Sequence, residues 1–227
     1  ETGTFVNDVF GLDFAPDADR IAWMTPINET SLSLRTSNPD ETSIKTVATV
    51  QIPDFEIYWI KKDLLALKSK TSSEAPSLLQ TMSLAGVSNI ISSEKKGFDV
   101  IWHGDGTEYL SSEDGVKLEV HDEKNSTVKE LSLKTLPEKC AFSIKDRNVL
   151  FCAVPRSLGQ ETLPDAWWQG RVNFADSLWK INLGSGESSL LLGGGGFDIT
   201  HLFTSPHEDY IFFINKNDST LWSLRII

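Results

Sequence analysis

Acidic residues recur at or just before short apolar runs: Asp13, Asp54, Glu56, Asp99, Glu138 and Asp198. Converging carboxylates can hold a cation. A pair of them flanking a sugar linkage can act as general acid and general base. Asp13, Glu56, Asp99 and Asp198 form the set that such a reading singles out. A plainer role is also open, as solvated strand ends and loop caps. The acids do not keep one offset from the aromatic anchor that ends each copy, Trp59, Trp102 or Phe203: Asp54 and Asp198 share one, Glu56 and Asp99 another.

The second candidate is the segment 155–171, which carries Asp165, Trp167, Trp168, Gln169 and Arg171. Trp and Arg are the residue types enriched where partners bind, and Trp also stacks on sugars or cations. The competing reading is local packing, with Trp167 or Trp168 capping the mouth of a central channel. Other chemistry lacks its residues. Gly184-Ser185-Gly186-Glu187-Ser188 is not a nucleophile elbow, and Gly193-Gly194-Gly195-Gly196 has no Lys-Ser/Thr behind it. The histidines, His103, His121, His201 and His207, show no metal-ligand spacing, and His201 reads as a core residue of an apolar strand. No cofactor and no metal are expected.

Twenty-one basic residues against 32 acidic ones give a net charge of −11. That balance repels phosphate backbones and anionic membrane surfaces, so nucleic acid is not an expected partner. No apolar run is long enough to span a bilayer, so no membrane insertion by this segment is expected. A protein or a carbohydrate remains as the expected partner, with the chain acting as a monomer. The opening Glu1-Thr2-Gly3 reads as a processing remnant, and the expectation is a longer precursor anchored to the cell envelope. Sequons stand at Asn28, Asn125 and Asn217, and each would mark an exposed loop in a glycosylating secretory route.

The elements that must position these residues are strands. Phe10-x-Leu12-x-Phe14 is echoed by Phe55-x-Ile57-x-Trp59 and Phe98-x-Val100-x-Trp102. Weaker copies follow at Glu138-x-Cys140-x-Phe142 and Ile199-x-His201-x-Phe203. Each copy is apolar at period two, and turn residues such as Pro16-Asp17 and Gly104-Asp105-Gly106 follow it. Second, third and fourth apolar runs then recur in each unit. Four short strands per unit make a propeller blade. The anchors Phe14, Trp59, Trp102, Phe142 and Phe203 are spaced by 45, 43, 40 and 61 residues. Only 24 residues follow Phe203, whereas 13 precede Phe14.

The pattern predicts an all-β fold: a single five-bladed β-propeller of four-stranded antiparallel blades over 1–227. The blades fall at about 8–51, 52–94, 95–135, 136–193 and 194–227, the last completed by an N-terminal strand within 3–7. A fragment of a larger ring is the alternative. Pairing Ser143 with Val149 sets Cys140 opposite Cys152, where a cross-strand disulfide is feasible. Two buried thiols are the alternative.

The stretch Phe14-Ala15-Pro16-Asp17-Ala18-Asp19-Arg20-Ile21-Ala22-Trp23 resembles the repeat signature of TolB-like and WD40-like propellers. Phe203-Thr204-Ser205-Pro206-His207-Glu208-Asp209-Tyr210-Ile211-Phe212 is a second, looser copy. The resemblance covers the inner hairpins of all the units, although Ala18 replaces the signature glycine and Trp-Asp dipeptides are absent. It implies an extracytoplasmic or secreted binding platform. Glycosidase families with five-bladed propellers suggest the alternative, a small carbohydrate-active enzyme with carboxylates in its channel.

Overall fold

The fold is a succession of antiparallel sheets, each built from strands consecutive in the chain. The computed structural model describes residues 8–17, 19–51 and 55–226. The expected closing strand at Thr4–Asn7, together with Ala18 and Asp54, lies outside the described residues.

The chain divides into two compact units. The first, Glu1–Lys70 with Ser77–Glu94, holds two four-stranded sheets. One comprises β1 (Phe10–Phe14), β2 (Ile21–Asn28), β3 (Ser31–Ser37) and β4 (Lys45–Val50). The other comprises β5 (Phe55–Lys61), β6 (Leu64–Ser69), β7 (Leu79–Ser83) and β8 (Ser88–Ser92). Met24, Leu34, Leu65 and Leu67 are fully buried in this unit's core. Strand β7 begins at Leu79, and Ser77 just before it is buried.

The second unit, Thr71–Pro76 with Lys95–Ile227, holds three sheets. The first has β9 (Val100–Trp102), β10 (Glu108–Glu113), β11 (Lys117–Asp122) and β12 (Thr127–Lys134). Next come β13 (Cys140–Phe142), β14 (Val149–Pro155), β15 (Asp176–Asn182) and β16 (Ser188–Leu192). The last has β17 (Ile199–Thr204), β18 (Tyr210–Asn215) and β19 (Thr220–Arg225), three strands among the described residues.

Strand β14 explains its own apolar run. Successive side chains leave opposite faces of a strand. Leu150 and Cys152 enter one core cluster, while Phe151 and Ala153 enter the next. Both faces are buried, so Val149–Ala153 cannot alternate with polar residues. Cys140 pairs with Cys152 across β13 and β14, with Cα atoms 4.1 Å apart, and their sulfurs are joined. The backbone N–H of Ser143 donates to the Val149 carbonyl at 2.9 Å, the register that the pairing needs.

Three readings of inner strands are corrected. Glu138 is not in β13 but in a 3-10 turn, Pro137–Lys139, because Pro137 opens a tight turn there. His201 is not a core residue: β17 bulges between Thr200 and Phe203, His201 takes φ +50°, and its side chain is exposed. Phe14 and Phe203, read as apolar anchors, are 53% and 49% exposed.

Candidate functional site

The segment between β14 and β15 leaves the sheet as a pinned excursion. Pro155 still pairs with Asp176, and the Arg156 N–H donates to the Ala175 carbonyl at 3.1 Å, which closes the base of the loop. Inside it lies a single helical turn, α1 (Asp165–Trp168). Leu163, Ala166, Trp167 and Phe174 are buried together with Leu136. The indole Nε1 of Trp167 donates to both carboxylate oxygens of Asp198 at 2.9 Å. Lys216 Nζ donates to the Trp167 carbonyl at 2.7 Å.

A second tether runs to the segment 71–76. Asp165 Oδ2 accepts from the Ser73 N–H at 2.8 Å, from Ser72 Oγ at 3.2 Å and from the Ser73 hydroxyl. Burial pushes the Asp165 carboxyl up, but these donors and Arg171 outweigh it and hold the group below the usual carboxylate range. The loop also packs where side chains are absent. Gly115 takes φ +79°, and a Cβ there would meet the Leu163 carbonyl at 2.6 Å. Only glycine combines that backbone with that approach.

The predicted binding residues therefore split. Trp167 is 2% exposed and belongs to the core, so its place on a partner-contacting surface is corrected. Asp165 is used as a tether. Trp168 is half-buried, and its Nε1 donates to Glu138 Oε1 at 2.6 Å. Gln169 and Arg171 are exposed. Arg171 Nε donates to Gln169 Oε1, and Arg171 Nη1 pairs with Glu161 Oε2, both at 2.9 Å. Beside them opens a recess of about 460 Å³, lined among others by Ser73, Lys96, Asp114, Gln160, Glu161 and Thr162.

The carboxylate set is not assembled as a ring of free acids. Asp13 Oδ2 accepts from the Trp59 N–H at 2.6 Å, and burial raises its carboxyl above the usual range. Glu56 is exposed, pairs with Lys68 at 3.0 Å and accepts from Tyr58 Oη at 2.8 Å. Asp99 is 7% exposed, and its Oδ1 accepts from the Val100 N–H at 2.9 Å and Thr71 Oγ1 at 3.3 Å. Asp198 is wholly buried. A second recess, of about 560 Å³, is lined by aromatic rings including Trp102, His103, Phe142 and Phe203. None of the four predicted carboxylates lines either recess. Among the described residues no group of His, Cys, Asp or Glu converges as a metal site. No helix among them is long and apolar enough to cross a membrane.

The residues missed by sequence reasoning are Lys139 and Asp176. Lys139 is buried and donates to Asp176 Oδ2 at 2.7 Å, Asp198 Oδ1 at 2.6 Å and the Ile199 carbonyl at 2.8 Å. The signal was present. Phe98-Asp99-Val100 and Phe197-Asp198-Ile199 align, and Glu138-Lys139-Cys140 places a cation at the same position. Aligning on the aromatic anchors hid this, because the β17 bulge shifts Phe203. The sequon asparagines Asn28, Asn125 and Asn217 are all exposed.

No protein-family model matches the chain, and no curated protein matches it. Solved structures match in fold. TolB from Acinetobacter baumannii is 11% identical with a TM-score of 0.58, over 96% of this chain and 54% of that one. An oligogalacturonate lyase from Vibrio parahaemolyticus is 10% identical with a TM-score of 0.63, over 97% and 66%. A nidogen/laminin complex is 10% identical with a TM-score of 0.53, over 96% and 80%. TolB and the lyase are β-propellers, and this chain is similar to that type in fold. It spans about half the length of the TolB structure.

Proposed function

We propose that this chain is a non-catalytic binding or scaffold propeller that presents its β14–β15 excursion to a protein or glycan partner outside the cytoplasm. The observation that carries this reading is the preorganisation of the excursion. It is held by a buried indole, a shared carboxylate and glycine contacts, and it leaves Gln169, Arg171 and Glu161 displayed beside a polar recess. A surface fixed before binding loses little freedom on association. A disulfide between Cys140 and Cys152 suits an oxidising compartment. The similarity to the nidogen/laminin complex supports a protein as the partner class.

The finer architecture belongs to the same proposal. The sheets are blades of one five-bladed ring, closed when residues 4–7 run beside Thr220–Arg225 as the fourth strand of the last blade. What supports this closure is that no strand among the described residues pairs with the outer edge of β19. The lyase among the similar structures favours a carbohydrate-active enzyme as the second reading, but the buried, hydrogen-bonded Asp99 and Asp198 argue against it.

The test is partner capture on a glycan array and in a pull-down by wild type and by the double variant Gln169→Ala, Arg171→Ala. The variant should lose capture and keep its thermal midpoint. Equal capture by both proteins would remove the excursion from the binding site.

A further inference from the structure

The densest chemistry in the second unit lies beneath Trp167. Lys139, Asp176 and Asp198 have side chains that are 0% exposed. Nζ of Lys139 lies 4.6 Å from the Trp167 ring centre and 5.2 Å from that of Phe174, so the group is walled by aromatic rings. Burying one cation with two carboxylates is costly unless every polar atom is matched. Asp198 is matched four ways, by Lys139, by Trp167 Nε1 to each oxygen and by the Phe174 N–H at 3.1 Å. Asp176 is not. Its Oδ2 accepts from Lys139 and from the Ile199 N–H at 2.7 Å, while Oδ1 is buried with no partner among the described residues.

We propose that this cluster is an autocatalytic modification site, which joins the Lys139 amine to the Asp176 carboxyl as an intramolecular isopeptide bond. The parts have distinct positions. Lys139 Nζ is the nucleophile, 2.7 Å from an oxygen of the carboxyl it attacks. The Ile199 N–H holds Oδ2, where negative charge develops as Cγ becomes tetrahedral. Oδ1, bound by nothing, is the oxygen that leaves. Asp198, 2.6 Å from Nζ, takes protons from the nitrogen and passes them to that oxygen.

The balance closes without a co-reactant. The Nζ–Cγ bond forms and the Cγ–Oδ1 bond breaks. Two of the three ammonium protons leave with Oδ1 as water, and the third stays as the amide N–H. Nothing is oxidised or reduced, and Asp198 ends as the carboxylate it began as. Burial raises the Asp176 carboxyl above the usual range, which favours the protonated, electrophilic form. Holding both reactants in one dry site supplies the high effective concentration that amide formation lacks in water. The product replaces a buried ion pair by a neutral amide.

Intact-mass measurement of the purified chain, unfolded and with the disulfide reduced, decides the question. Wild type should be lighter than its sequence by one water, and Asp198→Asn and Lys139→Met should not be. Trypsin should release one species joining residues 135–145 to residues 172–180 through uncleaved Lys139. Wild type at full mass would overturn the proposal and leave an ion cluster. A water lost from Asp198→Asn as well would also overturn it, by moving the loss to an Asp–Gly step such as Asp105-Gly106 or Asp114-Gly115.

Discussion

Trp167 and Trp168 are neighbours in sequence with different roles. Trp167 is 2% exposed with its Nε1 on Asp198, whereas Trp168 is half-buried against Glu138. Trp167→Ala should therefore cost about 3–5 kcal/mol of stability, the range for truncating a buried large aromatic. Trp168→Ala should cost clearly less, and urea denaturation followed by tryptophan fluorescence compares them. His121 carries the pH dependence at this scale. It stacks on Tyr109 at 4.3 Å and meets Ser111 Oγ at 2.9 Å. Burial, with Lys95, lowers its pKa below 6.5 and outweighs the opposing pull of Glu119. The unfolded chain then binds this proton more readily than the folded one. Stability should fall as pH drops through 6.5 towards the folded value, and His121→Gln should lose less over the same interval. Denaturation midpoints at about pH 7.5 and 5.5 report the difference. Asp105 is lowered too, so its contribution is likewise lost as pH falls, but in a more acidic interval. Burial raises it, but the Thr107 hydroxyl and N–H, with His103, hold it at about 2. Thr107→Val should move that value up towards 3.8 in an NMR titration.

At the scale of elements, the hairpin β13–β14 and the β14–β15 excursion differ in how they are fixed. The hairpin is cross-linked, with Cys140 and Cys152 12 positions apart in the sequence. Replacing both cysteines by alanine should cost about 3 kcal/mol, read from denaturant midpoints under oxidising conditions. The excursion is fixed by contacts far apart in sequence, and no spacing rule announces those. Asp165 reaches back to Ser72 and Ser73, and Gly115 admits the Leu163 carbonyl. Strand identities and the cysteine register were legible because they follow from period two and a short turn. Which of the two tryptophans is buried, and the pairing of Lys139, were not, because they depend on which loops meet. The β17 bulge concealed the rest: a register shift between Thr200 and Phe203 put Asp198 at a different offset from Asp99, although the two stand at equivalent strand starts.

At the scale of the whole molecule, the proposed ring closure makes its own prediction. Removing residues 1–7 should lower the thermal midpoint by several degrees and expose β19 to self-association, seen as a concentration-dependent mass in light scattering. An unchanged midpoint and a monodisperse monomer would sink the closure. The net charge of −11 adds a kinetic expectation. A basic partner should associate more slowly as salt rises, while a neutral glycan should not respond.

Among the described residues every sheet is made of strands that follow one another along the chain. A polypeptide emerging from a ribosome can thus pair these strands sheet by sheet, and only the proposed closing strand at residues 4–7 would wait for a distant mate. Synthesis should therefore tolerate a pause between sheets better than a pause inside one.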